Sequence, residues 1–227
     1  MPTLDWLKKE FSYGYDSGDV LSWLPSLTRY REEKAIGASY RKVFWQGLAP
    51  YLQPNTRVFE LGPGKGSWSR AILSVVTTGE LHTVDYVDVS KWLEPSKYRG
   101  RLVCHRVADN EFHELPENFF DVFWSFGVLC HNNIENVQTV LANARKKVKP
   151  GGVAVHQYAD WGKLEKFGWL KGRVPESFKN MPDQDIWWPR NDQETMSRVS
   201  ENAGWTVVAC DLGLLARDSI IVLKNPD

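Results

Sequence analysis

Three glycines at alternate positions follow a short β-rich stretch of the sequence. Gly62, Gly64 and Gly66 come directly after Arg57–Leu61, and Glu60 stands two residues before the first glycine. Glycines at such a place let the backbone turn sharply and let a ligand approach it closely. The spacing differs from the dinucleotide fingerprint because a serine follows the third glycine, and no G-K-[ST] closes the turn as in a phosphate-binding loop. A carboxylate beside the loop favours a ligand with positive charge over a diphosphate.

Around this loop, β-rich and helical stretches alternate from residue 55 to residue 158. The predicted strands are Arg57–Leu61, Leu81–Asp88, Arg101–Ala108, Phe120–Ser125 and Gly152–Tyr158, and the predicted helical stretches are Trp68–Val76, Lys91–Tyr98 and Ile134–Val148. Such alternation predicts an α/β fold with a doubly wound, mostly parallel sheet that is covered by helices on both faces. Two later strands, Trp205–Asp211 and Asp218–Lys224, are separated by too few residues for a crossover helix. They are therefore predicted to pair antiparallel.

Two segments fall outside this alternation. Residues 1–54 are predicted to form an amino-terminal helical flap, because apolar residues recur at helical spacing from Ser26 to Ala49. Within this flap, Phe11–Asp19 mixes small and aromatic residues, which suits a segment that folds over a ligand. Residues 55–227 form the predicted core, and residues 159–190 are an aromatic-rich lid inserted into it. A segment this long without periodicity is usually functional or disordered, and its aromatic content argues against disorder.

Five short motifs stand in one order along residues 55–160. They are E-L-G-P-G-K-G-S-W at 60–68, Y-V-D-V-S at 86–90, V-A-D-N at 107–110, F-F-D-V-F-W-S at 119–125 and V-K-P-G-G at 148–152. Each motif alone is weak, but together in this order they resemble class I S-adenosylmethionine-dependent methyltransferases. As a whole, the sequence is similar to bacterial methyltransferases that modify glycans and other small molecules.

This resemblance implies a Rossmann-like fold and S-adenosyl-L-methionine as the cofactor. It assigns the methionine part of the cofactor to Glu60 and to the three glycines of the loop. It assigns the ribose hydroxyls to an acid at the end of the second strand, for which Asp88 is favoured and Asp85 is the rival. Asp109, at the end of the third strand, is the implied partner of the adenine amino group. Asn110 and Ser125, the last residues of the third and fourth motifs, complete the implied set of cofactor-binding residues.

Transfer of a methyl group to a hydroxyl requires removal of a proton, so a base is expected near the ends of strands four and five. His131 follows the fourth strand and is the favoured catalytic base, because histidine titrates near neutrality. A structural role in its loop is the alternative. His156 on the fifth strand is a second candidate, with a packed core histidine as its alternative. Asp160, just past that strand, is a candidate base, orienting group or lid cap. No Asp-Asp pair follows the fourth strand, so no metal site is predicted.

The acceptor is inferred from the lid. Flat indole faces interleaved with charged residues suit sugar rings or planar heteroaromatics. The predicted substrate-binding residues are Tyr158, Trp161, Trp187, Trp188 and Arg190. The leading hypothesis is methyl transfer to a hydroxyl of a saccharide or glycosylated small molecule. The alternatives are an N-methyltransferase acting on a small heteroaromatic or amine, and a module that binds the cofactor without catalysis. A small core within the lid is the other interpretation of the tryptophans.

Composition excludes several kinds of partner. The chain of 227 residues has 28 Lys and Arg against 28 Asp and Glu, so it lacks the overall field that attracts nucleic acid or anionic membranes. Its three cysteines have no C-x-x-C spacing, which predicts a reducing compartment. The sequence contains no stretch typical of a secretory signal or a membrane span. We therefore expect a cytoplasmic monomer or homodimer that acts on a small-molecule or saccharide acceptor.

Overall fold

The computed structural model describes residues 14–226 of the chain, and in it one seven-stranded sheet forms the centre. The strands are β1 (Arg57–Leu61), β2 (Glu80–Asp85), β3 (Leu102–Arg106), β4 (Phe120–Ser125), β5 (Val148–Tyr158), β6 (Thr206–Ala209) and β7 (Ser219–Lys224). Their order across the sheet is β3-β2-β1-β4-β5-β7-β6. The first five strands are parallel, and β7 runs antiparallel to both β5 and β6. The predicted doubly wound sheet with an antiparallel carboxy-terminal pair is confirmed.

Helices connect the strands and flank the sheet. They are α1 (Leu27–Ile36), α2 (Tyr40–Val43), α3 (Ser67–Val75), α4 (Ser90–Leu93), α5 (Ile134–Lys147), α6 (Trp161–Phe167) and α7 (Gln193–Asn202). A π-helical turn at Phe44–Leu48 continues α2, and single 3-10 turns lie at Ala49–Tyr51, Pro95–Tyr98, Leu129–His131, Glu176–Asn180 and Asp183–Asp185. None of the helices within residues 14–226 is long and apolar enough to cross a bilayer.

Two apolar clusters cover the two faces of the sheet. Along β1, Val58 belongs to the cluster that includes Ile72 of α3, whereas Phe59 belongs to the cluster that includes Leu141 of α5. The ring of Phe59 stacks on that of Phe123 in β4, with centroids 4.4 Å apart. Burial of each such side chain stabilises the fold by about 1.5–3 kcal/mol. A parallel sheet needs this cover on both faces, which fixes β1 and β4 in the middle of the molecule.

The sheet reverses its direction of winding between β1 and β4, since β2 and β3 lie on one side of this pair and β5 on the other. Ligands of open α/β sheets bind outside the carboxyl ends of the strands at such a point. The loops that leave this edge are therefore the ones expected to hold a ligand.

Two details of the predicted elements are wrong. Strand β2 ends at Asp85, where it pairs with Arg106 of β3, so Asp88 lies beyond the strand. No helix is predicted near residue 200, yet α7 spans Gln193–Asn202. Its first turn is capped by Asp192, whose carboxylate accepts from the N–H of Thr195 at 2.7 Å. An N-cap followed by apolar residues at helical spacing is a helix signal that the sequence does contain.

The two covering segments have different structures. Residues 159–190 contain α6 and two 3-10 turns around a small apolar cluster that includes Trp169, Phe178 and Trp188. The alternative interpretation of the lid tryptophans, as a small core of its own, therefore applies to part of the set. Of the predicted flap, residues 14–54 carry α1 and α2, while residues 1–13, with the first part of Phe11–Asp19, lie outside the described residues. The division into flap, core and lid remains a prediction.

Candidate functional site

Two cavities open at the carboxyl edge of the sheet and share one wall. The first lies over the ends of β1, β2 and β3, and the second lies between the β1 loop, α1 and the lid. Their empty volumes, with the open space at their mouths, are about 890 and 1390 Å³. The residues that line both are Tyr15, Gly62, Gly64, Gly127 and His131. Two ligands bound in these cavities would therefore meet at the glycine loop and His131.

The glycine loop is held by close contacts that exclude side chains. A Cβ atom on Gly62 would lie 2.5 Å from Cγ2 of Val128, and one on Gly64 would lie 2.4 Å from the carbonyl oxygen of Tyr15. Both glycines also have positive φ angles, of 68° and 54°. The N–H of Lys65 donates to the same Tyr15 carbonyl at 2.9 Å, so the segment that contains Tyr15 lies across the loop. Gly66, the third glycine, precedes α3 and lines neither cavity.

Glu60 lies behind the loop rather than in a cavity. Its carboxylate accepts from the hydroxyl of Ser69 in α3 at 2.5 Å, and the residue is 2% exposed. Burial raises the pKa of Glu60 to about 7. The carboxylate therefore joins β1 to α3. It does not line the first cavity, although the sequence predicts it as a ligand of the cofactor.

At the end of the second strand the structure favours the rival acid. Asp85 lines the first cavity, where burial raises the pKa of its carboxyl. Asp88 is exposed and lines neither cavity; its Oδ1 accepts from the N–H and the hydroxyl of Ser90 at 3.0 and 2.6 Å. These hydrogen bonds lower the pKa of Asp88 and mark it as a turn residue. The choice of Asp88 over Asp85 is therefore corrected, because strand β2 ends earlier than predicted.

Of the residues predicted as ligands at the ends of the third and fourth strands, some line the first cavity and others do not. Asn110 lines the first cavity, whereas its neighbour Asp109 is exposed and accepts from the N–H of Glu111 at 2.9 Å. Ser125 is fully buried, and its hydroxyl lies 2.8 Å from Nδ1 of His156. Of these three predicted ligands, only Asn110 reaches the cavity.

His131 is the histidine that faces both cavities. It lies in the 3-10 turn after β4, and its Nδ1 donates to the carbonyl oxygen of Trp187 at 2.8 Å. This hydrogen bond fixes the tautomer in which Nε2 carries the lone pair. Burial lowers the pKa of His131 to about 4, so the ring is neutral at pH 7 and able to accept a proton.

His156 has the alternative role. It is fully buried on β5, lines neither cavity, and its Nε2 has no hydrogen-bond partner among the residues described. Burial lowers the pKa of His156 to about 3. This side chain is a packed core histidine, and its candidacy as a base is corrected.

Asp160 has the third of its predicted roles, that of a cap. Its Oδ1 accepts from the N–H of Lys163 at 3.0 Å and so caps α6. Its Oδ2 accepts from the hydroxyl of Ser219 at 2.7 Å and from Nε2 of Gln193 at 3.0 Å. With both oxygens occupied and 3% exposure, the carboxylate ties the lid to β7 and α7.

Three predicted acceptor contacts are structural instead. Tyr158 is buried and donates to the carbonyl oxygen of Cys210 at 2.8 Å. Trp161 donates to the carbonyl oxygen of Trp188 at 3.3 Å. Arg190 pairs with Asp183 and stacks on Trp161, with its Cζ 4.7 Å from the ring centroid. None of the three lines either cavity.

The second cavity keeps two of the predicted acceptor residues and adds others. Trp187 and Trp188 line it. An aromatic cluster of Tyr40, Trp68 and Phe126, whose ring centroids are 4.6–5.4 Å apart, also lines it. The polar side chains of its wall that lie outside the sequence motifs are Ser17, Glu32, Gln157, Arg173 and Arg217. The available signal for Arg217 is an adjacent pair of opposite charges, Arg217 and Asp218, within an apolar stretch.

The capping role of Asp160 makes a stability prediction. Asp160→Ala removes the cap and leaves buried donors without an acceptor, so the free energy of unfolding should fall by about 2 kcal/mol. Asp160→Asn keeps an Oδ1 acceptor and should lose less. Urea denaturation followed by tryptophan fluorescence measures both. An alanine variant as stable as the parent would contradict this role.

Comparison with known proteins identifies the family. The sequence matches the family described as "Methyltransferase domain" over residues 27–209. A highly reducing polyketide synthase from Fusarium mangiferae is 24% identical over 171 residues, which are 73% of this chain and 7% of that protein. The chain thus spans less than a tenth of the length of the curated relatives it matches.

Solved structures show the same fold. A SAM-dependent methyltransferase from Aquifex aeolicus superposes with a TM-score of 0.58 at 13% identity, over 81% of this chain and 93% of that one. The CurJ carbon methyltransferase superposes with a TM-score of 0.54 at 21% identity, over 79% of this chain and 51% of that one. Two glycines that leave no room for a side chain and the carboxylate of Asp85 in the wall of the first cavity fit an adenosyl cofactor. The chain belongs to the methyltransferase-domain family, and it is an enzyme that uses S-adenosyl-L-methionine as its methyl donor.

Proposed function

We propose that this methyltransferase acts on a hydroxyl group of a small molecule, and that the acceptor is a saccharide or a glycosylated compound. The observation that carries the proposal is the shared wall of the two cavities, where His131 and the glycine loop face both. A ligand in each cavity places donor and acceptor in contact, and such alignment alone contributes roughly 7–11 kcal/mol to catalysis.

The first cavity is proposed to hold the cofactor. Asp85 is suited to accept hydrogen bonds from two ribose hydroxyls, because it combines a carboxylate with a position at the end of β2. Asn110 offers an amide to the edge of the adenine ring, and its own side chain is fixed by donation to Asn136 at 2.9 Å. The backbone at Gly62 and Gly64 leaves room for the methionine part. When bound, S-adenosylmethionine supplies an electrophilic methyl group on a positively charged sulfur.

His131 is proposed as the base. Its Nε2 would accept the proton of the acceptor hydroxyl, while a bound cofactor would supply its methyl group to that oxygen with cleavage of the carbon–sulfur bond and would leave as the neutral thioether. The Nδ1–H bond to Trp187 stabilises the imidazolium that results. General bases contribute about 10²–10⁴-fold, so His131 adds a smaller term than alignment does.

The acceptor is proposed from the second cavity. The aromatic side chains of its wall suit the apolar faces of sugar rings, and the polar side chains of the same wall suit ring hydroxyls. A specific observation favours a second candidate, methylation at carbon: the structural neighbour CurJ is a carbon methyltransferase, and the curated relatives are polyketide synthases. A neutral histidine serves a carbon acid as well as a hydroxyl.

Product analysis separates these functions. Incubation of the purified chain with isotopically labelled cofactor and a panel of glycosides should yield methyl ethers, which resist acid and base. Labelled C-methyl or N-methyl products in place of ethers would contradict the proposal and favour the corresponding alternative.

Asp85 and Asp88 form a matched pair for cofactor binding. Asp85→Ala should weaken the affinity for S-adenosylhomocysteine by about tenfold or more, because charge-assisted hydrogen bonds contribute about 1.5–3 kcal/mol. Asp88→Ala should leave the affinity within about threefold of the parent, since the side chain lies outside the cavity. Isothermal titration calorimetry measures both affinities. A larger loss of affinity in Asp88→Ala than in Asp85→Ala would assign the ribose hydroxyls to Asp88 instead.

His131 should control turnover and its dependence on pH. His131→Ala should lower kcat by about 10²–10⁴-fold. The matched control, His113→Ala, removes an exposed histidine outside both cavities and should change little. Because burial lowers the pKa of His131 to about 4, the parent rate should be flat near neutrality and fall only as the ring becomes protonated below about pH 5. Unchanged kcat in the alanine variant would remove His131 from the chemistry.

A further inference from the structure

Arg217 is a buried cation in the wall of the second cavity. It precedes β7 and is 8% exposed. Its Nε and Nη2 donate to the two carboxylate oxygens of Asp218 at 2.8 and 2.7 Å, and its Nη1 donates to the carbonyl oxygen of Gly172 at 2.9 Å. Its Cζ lies 4.4 Å from the ring centroid of Trp188. The guanidinium is thus fixed in both position and plane.

Two of its donors have no acceptor among the described residues. A guanidinium has five N–H groups, and the hydrogen bonds to Asp218 and Gly172 use three. The Asp218 pair occupies the edge between Nε and Nη2. Gly172 packs against the stem of Arg217, where an added Cβ would lie 2.9 Å from Cδ, so its carbonyl approaches Nη1 from the stem side. The edge between Nη1 and Nη2 therefore remains for a ligand.

Asp218 does not compete for this edge. It is fully buried, and its Oδ2 also accepts from Nε2 of Gln157 at 2.7 Å. Gln157 in turn accepts from the N–H of Gly127 at 2.9 Å, and Gly127 belongs to the wall shared by both cavities. This chain of hydrogen bonds holds Asp218 behind Arg217 and fixes the arginine relative to the place of reaction. A fixed fork loses little entropy when it binds.

The charges that line the second cavity favour an anion. They are Arg173, Arg217 and Glu32, and Glu32 accepts from Arg173 at 3.0 Å. Pairing of these two leaves the cation of Arg217 facing the cavity, while its own partner lies behind the wall. A planar carboxylate matches two parallel N–H donors, as arginine and carboxylate pairs commonly do.

We infer that Arg217 determines specificity: it binds a carboxylate of the acceptor through its Nη1 and Nη2 edge, so the acceptor is an acidic saccharide rather than a neutral one. This inference rests on the proposed function, since it concerns the acceptor of the same site. A carboxylate held by Arg217 anchors the sugar while the aromatic residues cover its ring and His131 faces its hydroxyls.

The test uses two probes that differ only in the carboxylate. Phenyl β-D-glucuronide and phenyl β-D-glucoside are titrated by calorimetry into the full chain with S-adenosylhomocysteine present at saturation. The glucuronide should bind about tenfold tighter or more, as expected for a charge-assisted hydrogen-bonded pair. Equal binding of the two probes by the parent chain, including the case in which neither binds, overturns the inference without any variant.

The variant Arg217→Lys keeps the charge beside Asp218 but loses the fork. It should reduce the glucuronide preference to less than about threefold, because a lysine cannot present two parallel N–H donors. The matched control Arg198→Lys changes an exposed arginine of α7 that lines neither cavity, and it should behave as the parent. Retention of the full preference in a folded Arg217→Lys chain would overturn the inference.

The outcome is distinguishable from that of the proposed function. A carboxylate preference that depends on Arg217, without formation of methyl ethers, supports the inference and contradicts hydroxyl methylation. Methyl ethers formed on neutral glycosides, without any carboxylate preference, have the opposite meaning.

Discussion

The close approach of other residues to Gly62 and Gly64 is the constraint on which the rest of the site depends. At 2.4 and 2.5 Å from a would-be Cβ, the Tyr15 carbonyl and the Val128 side chain occupy the space that any side chain on these glycines would need. The loop can therefore form a thin wall between the two cavities, and the segment that contains Tyr15 can pack across it. With a thicker loop the two cavities would not share a wall, and two bound ligands would not meet.

The charged side chains on the two sides of this wall differ in sign. On the first-cavity side a half-buried carboxylate, Asp85, suits hydroxyl and cationic groups. On the second-cavity side the Nη1 and Nη2 edge of Arg217 is proposed to suit an anion, while Asp218 compensates its charge from behind. Between them His131 stays neutral, because burial costs its charged form more than the bond to Trp187 returns. A neutral base at this junction does not repel a sulfonium, and it remains ready to accept a proton.

Much of the fold follows from the sequence because parallel strands buried on both faces are mostly apolar and stand between clear turn residues. The position of the ribose acid does not follow in the same way. Both Asp85 and Asp88 lie among apolar residues in the stretch 84–89, so the sequence allows the strand to end at either acid. In the structure the last residue pair between β2 and β3 joins Asp85 to Arg106, and the strand ends at Asp85. The role of Arg217 does not follow from its charge pair with Asp218 alone, because Gly172, which accepts from Arg217, and Gln157, which donates to Asp218, are distant in the chain and meet this pair only in the folded molecule. The position of His131 near the edge of the sheet can be predicted from the sequence, because this residue follows the fourth strand and the prediction does not depend on the contacts of its ring.

A crystal structure with S-adenosylhomocysteine tests the central claim most directly. The account predicts adenosine in the first cavity, ribose hydroxyls on the carboxylate of Asp85, and the sulfur at the shared wall, directed toward His131 and the second cavity. Adenosine in the second cavity, or a sulfur separated from His131 by the loop, would contradict the claim that the two cavities are the two halves of one transfer site.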